Sequence, residues 1–161
     1  MDLSKLHTYK DETGATMETV EIVEREDGTV SAVAHFLEDG VPVGRIEHIY
    51  DPEKSEVNWA KFGLGKLSNQ GVISRYMRWA FPIIKGEGVK YCVAQGFGPT
   101  ATLALKHGAV AEDDNWYRVT LSKWKPPKAE GKWAEANPSP AAVAHELWRK
   151  SQEAEGSVKG E

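Results

Sequence analysis

The run EVNWAKFGLGKLSNQGVISRYMRWAFPIIKGEGVKYCVA, residues 56–94, changes period twice, and those changes decide the fold. Glu56 to Phe62 reads as an extended strand. Gly63-Leu64-Gly65-Lys66-Leu67-Ser68-Asn69-Gln70-Gly71 follows as a Gly-rich loop. Val72, Ile73, Tyr76, Met77, Ala80, Ile83 and Ile84 then recur at helical spacing. Ser68 or Asn69 suits the N-cap, because a short polar side chain accepts from first-turn N–H groups. Pro82 is expected to kink the helix or end it early, and Gly86-Glu87-Gly88 closes it. Val89 to Ala94 is short and almost wholly apolar, as a buried strand must be.

Upstream of this run the period is two. Val20 and Ile22 alternate with Thr19, Glu21 and Val23, and Asp27-Gly28 gives a turn in which Gly accepts positive φ. Thr29 to Leu37 forms a second strand, with Val30, Ala32, Ala34 and Phe36 on one face. After Asp39-Gly40, Val41 to Tyr50 forms a third. Asp51-Pro52-Glu53-Lys54 turns the chain into the strand at Glu56. Four strands on short turns make an antiparallel meander. Downstream, Gly96-Phe97-Gly98-Pro99 leads to a helix from Thr100 to His107, with Gly108 as its stop. Trp116 to Leu121 reads as a last strand. The expectation is one α/β (α+β) domain over 17–124. Its central mixed sheet is mostly antiparallel and flanked by helices. It follows a flexible start at 1–16 and precedes a linker and tail at 125–161.

The chain has 161 residues, a formal charge of −4 and a pI near 5.8. That balance disfavours general binding to a nucleic-acid backbone, which calls for a basic face. One cysteine, Cys92, excludes an internal disulfide and fits a reducing compartment. No apolar run has the length of a signal core or a membrane span, so a cytoplasmic location is expected. The five histidines show none of the spacings of a zinc site, and no metal is expected.

The order of elements across about residues 29–122 resembles that of the GNAT superfamily of acyl-CoA-dependent N-acetyltransferases. So do Thr100-Ala101-Thr102-Leu103-Ala104-Leu105-Lys106-His107-Gly108-Ala109-Val110 and the closing Trp116-Tyr117-Arg118-Val119-Thr120-Leu121. Gly88-Val89-Lys90-Tyr91-Cys92-Val93 resembles the family's helix exit and fifth strand. The resemblance implies that the fourth strand leaves the fifth and that its unpaired amides take the pantetheine arm of acetyl-CoA. The pyrophosphate would then meet the next helix N-terminus, where unpaired N–H groups favour an anion. It places the cofactor against Phe62, Gly63, Leu64, Ser68, Asn69, Gln70, Gly71 and Val72. Two departures stand out. Of the family's loop pattern Arg/Gln-x-x-Gly-x-Gly/Ala, only Gly71 survives, with Ser68 first and Ile73 last. Ala104 occupies the place where many members carry the tyrosine that protonates the leaving thiolate.

Transfer to an amine needs a base, and the departing sulfur needs a proton. Glu47 and His48 on the third strand are the base candidates, pointing to opposite faces, with His35 and Glu56 behind them. Tyr117 is the acid candidate, with Tyr76 and Tyr91 as alternatives. Cys92 reads as a small core residue, because no activating base is legible near it.

Beyond Lys125 the chain turns Pro-, Gly- and Lys-rich, then Ser139-Pro140 opens an amphipathic helix over 140–154. Trp133, Leu147 and Trp148 either fold back on the domain or dock a protein partner or a second copy. Two functions follow. One is acetyl transfer from acetyl-CoA to an amine of a small molecule or protein. The other is a catalytically inactive binding or structural protein that keeps the fold, such as a phage virion or host-interaction protein, assembling through its tail.

Overall fold

In the computed structural model, residues 1–63, 71–96, 98–125, 148 and 151–152 are described. Four strands come first: β1 (Thr16–Glu24), β2 (Val30–Glu38), β3 (Val41–Asp51) and β4 (Glu56–Gly63). Helix α1 (Val72–Gly86), β5 (Tyr91–Gln95) and helix α2 (Pro99–Lys106) follow, then β6 (Val110–Ala111) and β7 (Trp116–Thr120). The strands form one sheet in the order β1-β2-β3-β4-β5-β7-β6. Only β4 and β5 run parallel, joined through α1; the other pairs are antiparallel. The fold is thus the mixed, mostly antiparallel α/β sheet with helices that the sequence implies.

Alternation sorts the strand residues to two faces. Ala32, Ala34, Phe36, Ile46, Val57, Trp59, Cys92 and Val119 point into one core. Both helices lie over that face. Ser74 of α1 meets His107, the residue that caps α2, with Oγ 3.2 Å from Nε2. Phe81 of α1 meets the same imidazole edge-on. Tyr76 sits at the centre, ringed by Tyr9, Phe36, Trp59 and Trp79, and its hydroxyl donates to the Leu6 carbonyl at 2.6 Å.

Three local expectations change. The start of the chain is packed: Leu3–His7 forms a 3-10 turn, and Leu3, Leu6, Tyr9 and Ala15 are buried. Pro82 does not stop α1, which continues to Gly86. Pro82 lies on the exposed side of the helix. The residue that caps α1 is Gly71, at φ 70°, with no side-chain cap hydrogen bond; Ser68 and Asn69 lie outside the described residues. Gly108 does stop α2, at φ 82° with its N–H on the Leu105 carbonyl. None of the helices among the described residues is long and apolar enough to cross a membrane.

Candidate active site

Strand β4 is longer than its pairing with β5. Glu56, Val57 and Asn58 pair with Tyr91, Cys92 and Val93, and there the ladder stops. Trp59 to Gly63 continue without a β5 partner while still paired to β3. A bulge helps them leave: Trp59 pairs with His48 but Lys61 pairs with Glu47, so Ala60 is an extra residue. Such an insertion bends the strand and increases its twist. The result is a split sheet, with a row of main-chain groups on the β5 side of β4 that no strand among the described residues uses.

Behind the split, on the helix face, lies a slot walled by Trp59, Phe62, Met77, Cys92, Ala104 and Tyr117. Its free space is about 30 Å³, enough for roughly two water-sized groups. The walls are apolar, and the Cys92 thiol is pushed up to about 12 by burial. That thiol is a core group, as the sequence suggests.

At the start of α1 the first turn holds no acidic residue and no side-chain cap, so its N–H groups keep their affinity for an anion. Arg75, which the motif reading overlooked, lies across this start. A Cβ built on Gly71 would meet the Arg75 Nη1 at 3.3 Å. Its Nε lies 3.3 Å from Asp11 Oδ2, and Asp11 also accepts from the Tyr9 hydroxyl and the Thr13 and Ala15 amides. Burial raises the Asp11 carboxyl, but the Thr13 and Tyr9 hydrogen bonds and the Arg75 charge outweigh it and hold the group low. The signal available in the sequence was the arginine one helical turn after Gly71.

The sequence candidates fall into three groups. Phe62, Gly63, Gly71, Val72 and Tyr117 surround the split. Val72 is buried in the core, so only its backbone is left for a ligand. Glu47 is on the reverse face of the sheet, where it accepts from Ser31 Oγ at 3.3 Å and lies 3.6 Å from Arg25. It is paired to Lys61, within the stretch of β4 that has left β5. His48 needs correcting as a base. It is fully buried beneath Tyr76 and Trp59, and burial, with the nearby His7 adding, presses its pKa to about 3. A substrate cannot reach it without opening the core. Tyr76 is likewise a buried packing group, and Tyr91 lies under the Arg118 guanidinium at 4.9 Å. Leu64, Ser68, Asn69, Gln70, Trp133 and Leu147 lie outside the described residues. Trp148 is helical and half exposed.

No family model matches the sequence, and no curated protein matches it. Solved structures similar to the chain include a GNAT-family protein from Desulfovibrio desulfuricans, with a TM-score of 0.49 and 13% identity over 56% of this chain and 69% of that one. An N-acetyltransferase from Staphylococcus aureus gives a TM-score of 0.45 and 14% identity over 56% and 68%. A GNAT family acetyltransferase from Elizabethkingia anophelis, with acetyl-CoA bound, gives 0.46 and 10% over 66% and 97%.

Proposed function

We propose that the protein transfers an acetyl group from acetyl-CoA to an amine. The observation that carries this reading is the divergence of β4 from β5 after Asn58 and Val93. It leaves Trp59 to Gly63 as an unpaired edge for an extended, amide-bearing arm, which would bind as a strand binds. The slot beside it has room for an acetyl-sized group, and the start of α1, with Arg75 across it, suits the phosphates. When bound, acetyl-CoA would supply an activated thioester carbonyl.

The residues of the chain then have separate tasks. Glu47 takes a proton from the amine, whose nitrogen forms a C–N bond with the thioester carbon. The C–S bond breaks, and Tyr117, on the slot wall, gives the sulfur its proton. Glu47 then releases its proton to water and Tyr117 takes one back from water, which closes the cycle. Leu64, Ser68, Asn69 and Gln70 complete the cofactor contacts in this reading.

Calorimetry with acetyl-CoA tests it. Micromolar binding, lost in Gly71→Val, supports the transferase; no heat from the wild-type protein ends it. The alternative, an inactive binding or structural protein, is favoured by one observation: Trp148 in the tail keeps half of its surface in water. Light scattering of the full chain against a chain cut after Lys125 separates the two, since only the tail-assembled protein loses mass beyond the deleted segment.

A further inference from the structure

At the other end of β5 from the split, a second cavity lies between the end of α1, the start of β5 and the end of β7. It measures about 320 Å³ and is lined by Lys85, Val89, Lys90, Tyr91, Thr120 and Ser122, with Gly88 at its rim. No acidic side chain is in its lining, although acids outnumber bases 24 to 20 in the chain. Lys85 and Lys90 are both exposed, and neither has an ion-pair partner among the described residues. The backbone here is already satisfied: the Lys90 and Tyr91 amides bond the Ser55 carbonyl, and the Leu121 amide bonds the Lys90 carbonyl. The recognition groups that remain are two ammoniums and the hydroxyls of Tyr91, Thr120 and Ser122, beside the Tyr91 ring and the edge of the largely buried Val89.

We propose that this groove binds a small phosphate monoester. The phosphate would sit between Lys85 and Lys90 and accept from Thr120 and Ser122, and the organic part would lie against Val89 and Tyr91. Two ammoniums match the dianion that a phosphate monoester carries at neutral pH. A rigid wall next to them favours an ester over inorganic phosphate. The groove shares none of its lining residues with the acetyl-CoA slot, so it stands or falls apart from the proposed reaction.

The test titrates the full chain with phenyl phosphate, phenol and inorganic phosphate, following backbone amide shifts by NMR. Phenyl phosphate should give saturable shifts confined to residues 85–91 and 120–122. Binding should be about tenfold tighter than to inorganic phosphate or phenol, a difference of about 1.4 kcal/mol. The Lys85→Glu/Lys90→Glu double variant, changed only at exposed positions, should abolish the shifts, and the double change to Arg should restore them. The proposal is overturned by non-saturable or scattered shifts, by equal binding of inorganic phosphate, or by binding that survives the double change to Glu.

Discussion

Glu47 and His48 are neighbours in the chain with opposite surroundings, because a strand sends successive side chains to opposite faces. His48 goes under the helices, where neither ring nitrogen finds a partner among the described residues. Glu47 goes to the reverse face beside Ser31 and Arg25. If Glu47 is the base, Glu47→Gln lowers kcat by about 10²-fold or more and leaves acetyl-CoA affinity unchanged, as thiol release and calorimetry would read. His48→Phe should keep turnover and the thermal midpoint, since an apolar ring of similar size replaces a buried polar group without its hydrogen bonds. Equal loss of turnover in both variants would refute this division of roles. The sequence showed that the two residues diverge. It did not show which face the helices cover, because that depends on how the crossover through α1 packs.

At the scale of elements, the meander, α1, β5 and α2 were legible because turn and loop residues bound each apolar run. The 3-10 turn at Leu3–His7 was not, since its two apolar residues, Leu3 and Leu6, are too few to mark an element in a polar stretch. The Tyr9 ring packs on residues far away in sequence, 5.2 Å from Tyr76 and 5.3 Å from Trp79. Removing it by Tyr9→Ala should cost about 3 kcal/mol, the usual scale for emptying a buried aromatic site, measured by denaturant unfolding. The start of α1 makes a separate demand. Gly71 has positive φ, which costs other residues roughly 1 kcal/mol, and a Cβ there would also press on Arg75. Gly71→Val should therefore lose about that much stability but far more of its acetyl-CoA affinity. A variant that loses stability and keeps affinity would show that α1 does not hold the phosphates. The split between β4 and β5 was legible only through the family resemblance; its physical origin, the extra residue Ala60 opposite β3, is a register property that one strand's sequence does not display.

For the whole molecule the decisive groups are three imidazoles buried in one core. Burial lowers His7 to about 4, and His48 and His107 to about 3. An unfolded histidine titrates near 6.5. Between those values the unfolded chain binds protons that the folded chain refuses, so stability must fall as pH falls. Their contribution is complete above about pH 6.5 and erodes below it, each group adding a slope of up to about 1.4 kcal/mol per pH unit. His7 links the first turn to the sheet, with Nδ1 2.7 Å from Thr19 Oγ1 and its ring stacked 6.2 Å from His48. Protonating either ring places a charge beside the other, and the Asp2 carboxylate offsets burial only in part at His7, so the first turn should loosen before the sheet does. Denaturant unfolding at a series of pH values should show stability falling from about pH 6.5 towards pH 4. In His7→Phe/His48→Phe the same fall should be shallower, driven by His107 and, towards pH 4, by carboxyls held low such as Asp11. A wild-type curve flat across that range would mean that these imidazoles keep their ordinary basicity, and therefore that water reaches them in the folded protein.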